Sequence, residues 1–258
     1  MDILKTRSSN SSQRSWIFMD AGDTFIYGYP TFYQALRDCC RKEQHEIDLI
    51  QAEQVIKTIL RSNPPIHLTT QEKFTRFFQT LYTQALEMLQ YPKNIRQGVE
   101  WLWEEWLKGE RLRLFDDSLS ALQRLRQAGF KLSVISNWDE TFDGMLERLG
   151  VSDLFETTLT SVQAGFSKPD RRLFQLALER AGASPRQAWY LGDQMEADIQ
   201  PAREMGFKTI YVDYYGKRES GEAADYIAPS MSVAAEIICS IENRGRSFPH
   251  FLRIDGGS

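Results

Sequence analysis

The chain has 258 residues, 42% of them hydrophobic and 26% charged, with a formal net charge of −4. That composition is of an ordinary globular kind, and the acidic balance, with a pI of about 5.6, gives no general attraction to nucleic acid or to an anionic membrane. No apolar run approaches the ~20 residues that a membrane span needs, and the length fits one large domain or one domain with a sizeable insertion.

Residues 1–15 are polar and Ser-rich and have no apolar stretch. They read as a loose tail rather than a signal peptide. The first structured segment is Trp16-Ile17-Phe18-Met19, which runs straight into Asp20 and a turn of small residues. A short apolar run bounded by turn signals reads as a buried strand of a parallel sheet. Asp20 then stands at the carboxyl end of that strand, where open α/β sheets bind their ligands. A buried carboxylate there needs a metal, a cation or several donors to offset its desolvation.

From about residue 29 to residue 108 the pattern is helical. Phe32, Leu36 and Cys39/Cys40 recur every three to four residues, and Ile47, Ile50, Val55 and Ile59 continue less regularly. Pro64-Pro65 and Pro92 break the run. Thr69 with Glu72 three residues later has the spacing of a capping box. Phe74, Phe77/Phe78, Leu81 and Ala85 keep helical period, as do Ile95, Val99, Leu102 and Trp106. These segments predict an all-helical insertion of about four helices. Trp101 falls off the last stripe and is expected to pack against the α/β domain rather than face a substrate or partner.

The β/α alternation resumes near Phe115. Asp117 is expected to cap a helix through Leu125, and residues 130–136 form a strand ending at Ser136. A helix carrying Met145 and Leu149 stops at Gly150, and a short strand follows over residues 157–160. Asp170 caps a helix ending near Gly182. Residues 188–191 form a strand stopping at Gly192-Asp193, and Asp198 is expected to cap a helix with Pro201 in its first turn. A strand over 207–212, a short one at Tyr226-Ile227, a helix over 233–241 and an irregular tail over 244–258 complete the chain. Strands alternating with helices of this length imply a parallel sheet with right-handed crossovers. The fold class is therefore α/β. A Rossmann-like core occupies 16–28 and 109–243, interrupted by helices over 29–108.

Cys39, Cys40 and Cys239 make no CxxC pair. They read as buried packing in a reducing cytosol, so a cytoplasmic location is expected. His45, His67 and His250 lack metal-ligand spacing and read as structural or exposed. The oligomeric state leaves no mark on the sequence.

Four polar residues end strands or follow them: Asp20, Ser136, Lys168 in Ser167-Lys168-Pro169, and Asp193. A parallel sheet brings such positions to one edge. Two carboxylates that close need a cation between them, or one must hold a proton. Oxygen ligands select hard cations, and Mg2+ is commonly held by one or two carboxylates plus substrate phosphate. Lys168 adds a point charge suited to phosphate. Ser136 and the backbone N–H groups after it can donate to phosphate oxygens. The set suggests phosphoryl transfer with Asp20 as nucleophile. Taken singly, each residue also fits a blander role: Asp20 as a turn or cap residue, Lys168 as a solvated charge.

The sequence resembles the haloacid dehalogenase superfamily, in the branch with a helical cap between its first and second motifs. The matching segments are Phe18-Met19-Asp20-Ala21-Gly22-Asp23-Thr24, Val134-Ile135-Ser136-Asn137, Ser167-Lys168-Pro169, and Gly192-Asp193 through Asp198, in the family's order. The resemblance implies that Asp20 is the nucleophile and that Mg2+ is held by Asp20, the Gly22 carbonyl and Asp193. It implies that Ser136, Asn137 and Lys168 bind the phosphoryl group and that Asp198 orients Lys168 or a metal-bound water. The substrate implied is a small phosphorylated metabolite, with the helical insertion closing over it.

One position departs from the pattern. Phosphatases of the superfamily usually carry a second Asp two residues after the nucleophile, the acid that protonates the leaving group. Here that position is Gly22. Asp23 occupies a turn position tolerant of left-handed backbone, and its one-residue offset points its side chain the other way. The reading is a Mg2+-dependent phosphatase weakened at leaving-group protonation. The alternatives are a non-catalytic binding or regulatory protein on the same fold and a 2-haloacid dehalogenase, whose halide leaving group needs no proton.

Overall fold

The computed structural model describes residues 15–28, 31–65, 67–108, 111–216 and 224–242. The tails expected at 1–15 and 244–258 lie outside these residues, Ser15 excepted, as does His250. Strand β1 (Trp16–Met19) alternates its side chains: Ile17 and Met19 enter one core cluster, Trp16 and Phe18 another on the opposite face. That period of two is why a continuous apolar run can be buried on both sides. After β1 the chain makes a short strand β2 (Ile26–Gly28), followed by four helices: α1 (Phe32–Lys42), α2 (Leu49–Ser62), α3 (Gln71–Met88) and α4 (Ile95–Leu107). Strand β3 (Leu112–Leu114) returns antiparallel to β2. This two-stranded ribbon at the foot of the helices has no counterpart in the sequence reading, because three-residue strands are too short to show a period.

The α/β succession continues with α5 (Ser118–Gln127), β4 (Lys131–Ser136), α6 (Phe142–Arg148), β5 (Thr157–Thr160), α7 (Ser161–Ala164) and α8 (Arg171–Ala181). It ends with β6 (Ala188–Gly192), α9 (Gln200–Met205), β7 (Lys208–Val212), β8 (Tyr226–Ala228) and α10 (Met231–Glu242). The sheet order is β5-β4-β1-β6-β7-β8, and its pairings are parallel. From β1 the chain winds outward through β4 and β5, then returns to β6 on the other flank. The direction reverses between β1 and β6, the place where open α/β sheets hold their ligand crevice. On one face Leu132, Val134, Leu191, Ile210 and Val212 pack with α5, α6 and α10 residues; on the other, Ile135 and Tyr190 pack with Leu173, Phe174 and Ala202. Leu36, Ala52, Ile56, Leu81 and Leu102 form a separate cluster among the four helices.

Several local expectations need correction. The cap of α3 is Thr70, not Thr69: Thr70 is extended and its side chain accepts from Lys73 N, with no reciprocal Glu72 contact. Asp117 precedes α5 but makes no cap bond. Its carboxylate instead accepts from Tyr214 OH at 2.6 Å and from Ser232 N at 2.7 Å, tying α5 to the far edge of the core. Asp198 does not cap α9. It lies in a π-turn over Met195–Ile199 that runs into that helix, with Pro201 in the first turn as expected. Trp101 packs within the helical cluster, under Lys42, rather than against the sheet. The three cysteines are buried and free. Among the described residues, no helix is long and apolar enough to cross a membrane.

Candidate active site

The edge between β1 and β6 carries the chemistry. Asp20 directly follows β1, and its backbone N–H donates to Leu191 O of β6 at 2.9 Å, which pins the carboxylate at the reversal point. The next turn closes on one acceptor: the N–H groups of Thr24, Phe25 and Ile26 all donate to Ala21 O. Asp23 takes the left-handed backbone expected of it, with φ of +52°. Its carboxylate accepts from Tyr215 OH at 3.3 Å.

Lys168 is buried, and its Nζ lies 2.7 Å from both Asp20 Oδ1 and Asp198 Oδ1. The contact to Asp20 is an ion pair; the one to Asp198 is a directed hydrogen bond. Asp198 is fully buried. Its Oδ1 also accepts from Tyr190 OH at 3.0 Å, and its Oδ2 accepts from Gln194 N at 3.2 Å. Glycine is required at position 192 because a Cβ there would lie 2.5 Å from Asp198 Cβ. The π-turn thus folds Asp198 back against its own strand end, where it faces Lys168 instead of capping a helix.

Burial alone would lower the Lys168 pKa, but Asp198 and Asp20 reverse that and hold the ammonium above the ordinary lysine value. Asp193 moves up, first through burial and then through repulsion from Asp198 and Asp20. Asp198 is likewise raised by burial, against the pull of Lys168. Carboxylate oxygens of Asp20, Asp193 and Asp198 lie within 4.8 Å of one another, and Asp193 Oδ1 is buried with no hydrogen-bond partner among the described residues. An orphaned carboxyl oxygen beside two others, with one ammonium among three carboxyl groups, suits a hard divalent cation. Asp198 is engaged on both oxygens by Lys168, Tyr190 and Gln194, so the donor set that remains open is Asp20 and Asp193.

Ser136 ends β4, buried. The Asn137 carboxamide is committed elsewhere: Nδ2 donates to Lys168 O at 3.1 Å, and Oδ1 accepts from Lys168 N at 2.7 Å. What Asn137 can offer a phosphate is therefore its backbone, while its side chain fixes the loop that presents Lys168. Trp138 follows, with its ring 3.8 Å from where a Cβ would sit on Gly22. The helical segment also meets the core here. Ser161 Oγ donates to Leu68 O at 2.9 Å, Glu140 N donates to Gln71 Oε1 at 3.1 Å, and Trp106 of α4 stacks on Trp138 at 5.7 Å. Sequence reasoning missed Tyr190, Trp138 and the Asn137 clamp. Each acts through partners distant in the chain, and no spacing rule marks them.

Comparison with known proteins bears on the family and the fold. Residues 49–212 match the family described as haloacid dehalogenase-like hydrolase. The glyceraldehyde 3-phosphate phosphatase of Methanocaldococcus jannaschii is 26% identical over 238 residues, covering 88% of this chain and 97% of that protein. The ribulose-1,5-bisphosphate 5-phosphatase of Halopiger xanaduensis is 32% identical over 127 residues, covering 49% of this chain and 52% of its own length. A magnesium-bound HAD-hydrolase from Bacillus subtilis shares the fold with a TM-score of 0.71 at 18% identity, over 87% of this chain and 98% of that one.

Proposed function

The chain belongs to the haloacid dehalogenase-like hydrolase family, and from that premise we propose that it is a Mg2+-dependent phosphatase of small phosphorylated metabolites acting through Asp20. The observation that carries this reading is the Asp20–Lys168–Asp198 chain of ion pairs beside the orphaned oxygen of Asp193. The relatives named as phosphatases support phosphate-ester hydrolysis as the reaction class.

In this reading an Asp20 oxygen attacks phosphorus and the bond from phosphorus to the leaving oxygen breaks. That oxygen departs with the electron pair, and an aspartyl-phosphate is left. Water then attacks the phosphorus, releasing phosphate and restoring the carboxylate. Lys168 balances charge on the transferring group, and Asp198 keeps the ammonium aimed. The Ser136 hydroxyl and the Asn137 backbone hold phosphoryl oxygens. Asp20, the Gly22 carbonyl and Asp193 would hold Mg2+, which when bound neutralises phosphoryl charge. The four helices over residues 29–108 act as a cap that excludes water.

Gly22 supplies no proton, so the leaving group departs unassisted. Loss of a general acid costs ~10²–10⁴ in rate, and less where the leaving group is a weak base. Acyl and aryl phosphates should turn over measurably and alkyl phosphates slowly. A dehalogenase is disfavoured because the carboxylates around Asp193 repel an anionic haloacid when no cation is bound. The test is a panel of phosphate esters and anhydrides, with and without Mg2+, run beside Asp20→Asn. Turnover that needs both Mg2+ and Asp20 supports the reading. No turnover across the panel would favour a non-catalytic protein, and halide release from chloroacetate in chelator would favour a dehalogenase.

A further inference from the structure

The space beside Gly22, where an acid would otherwise reach the leaving group, is bounded by an indole. Trp138 Cζ3 lies 3.8 Å from the Cβ position of Gly22, two residues from the proposed nucleophile. Trp138 is 8% exposed. It stacks on Trp106 at 5.7 Å with ring planes 27° apart. Trp106 in turn stacks on Phe32 and Phe78, both at 5.6 Å. An aromatic wall therefore runs from the nucleophile's turn up into helices α1, α3 and α4.

A second observation points to a ligand. The indole N–H groups of both Trp138 and Trp106 are buried, and neither has a hydrogen-bond partner among the described residues. Leaving a buried donor unpaired is costly, and indole can only donate. Two such donors on stacked rings call for an acceptor that arrives from outside the chain. Water could serve one of them, but flat apolar faces favour a flat organic group.

We propose that Trp138 and Trp106 form the leaving-group subsite, selecting phosphates whose leaving group is planar, weakly basic and carries a hydrogen-bond acceptor. This rests on the phosphatase reading above. It also couples two features of the site. Gly22 gives up proton donation, and the tryptophan pair admits leaving groups that depart without it.

The test uses phosphonates, which are not hydrolysed, so that binding is read apart from turnover. Calorimetry in Mg2+ compares 4-nitrophenylphosphonate with methylphosphonate on the wild type, Trp138→Phe and Trp138→Leu. The wild type should prefer the nitrophenyl compound at least tenfold. Trp138→Leu should cut that preference at least fivefold, and Trp138→Phe, which keeps a ring but loses the N–H, by a smaller factor of about two to three. Trp106→Leu serves the same comparison should Trp138→Leu fail to fold. Equal affinity for the two phosphonates in the wild type would overturn the proposal. So would a preference that survives both leucine variants. Absence of phosphatase turnover together with a tryptophan-dependent nitrophenyl preference would instead sink the catalytic reading and leave the subsite standing.

Discussion

Removing the Asp193 carboxylate should blunt the protein's response to Mg2+ in a way that heat can read. Carboxylate oxygens of Asp20, Asp193 and Asp198 lie within 4.8 Å of one another. At an effective dielectric of ~20, each ionised pair at that separation repels by about 3 to 4 kcal/mol. Lys168 offsets this for Asp20 and Asp198, which it touches at 2.7 Å. Asp193 keeps an unpartnered buried oxygen. A divalent cation should therefore stabilise the native state, by about 2.7 kcal/mol at a hundredfold excess over its dissociation constant. For a chain of this size that is a rise in Tm of about 5 to 11 °C. Asp193→Asn relieves the repulsion and removes a ligand together. It should melt at or above the wild type in chelator, yet gain less than half of the wild-type shift on adding Mg2+. Thermal unfolding followed by circular dichroism, with and without Mg2+, measures both quantities. A wild type whose Tm ignores Mg2+, or an Asp193→Asn variant that gains as much as the wild type, would refute the reasoning.

Other outcomes follow from the same geometry. A Cβ on Gly22 meets nothing closer than 3.8 Å, so Gly22→Asp should fold and raise kcat/KM on alkyl phosphates by ~10²-fold or more. An unchanged alkyl rate in the folded variant would show that position 22 does not limit the reaction. Tyr190→Phe removes a buried donor to the Asp198 carboxylate and should cost about 1.5 to 3 kcal/mol in urea unfolding; a loss below 0.5 kcal/mol, roughly a third of the smallest value expected, would count against Asp198 depending on it. Burial alone would raise the Asp117 pKa, but the Tyr214 hydroxyl and Ser232 N–H outweigh it and hold the group below its ordinary value. That contribution is present above the unfolded pKa of about 3.9 and is lost as pH falls through the lower folded value. Tyr214→Phe should therefore destabilise most at neutral pH, with the gap to wild type narrowing below about pH 4; a gap that widens in acid would contradict the assignment.

The sheet and its carboxylate edge were legible in the sequence because strand period and turn chemistry are local. Ile17 and Met19 against Trp16 and Phe18 set two faces, and Asp20 had to fall where β1 stops. The order of Asp20, Ser136, Lys168 and Asp193 pointed to one sheet edge; Asp20, Lys168 and Asp193 lie together there, and Ser136 ends the neighbouring strand β4. What stayed hidden depends on long-range partners. Asp198 resembles a helix cap locally, yet its use is decided by Lys168, which lies 30 residues away. Asp117 resembles a cap too, until Tyr214 and Ser232 claim both its oxygens. The resemblance implies that Asn137 binds phosphate, but the fold commits its side chain to the Lys168 backbone, which leaves only its own backbone for that use. Trp106 and Trp138 each look like packing, and only their stacking beside Gly22 gives them a common use.

The central claim is that phosphoryl groups pass through Asp20. Its most direct test is a rapid acid quench during turnover of radiolabelled acetyl phosphate in Mg2+, followed by digestion and location of the label. The account requires label on the peptide containing Asp20 in the wild type and none in Asp20→Asn. Turnover without label on that peptide, or equal labelling of the Asp20→Asn protein, would contradict it.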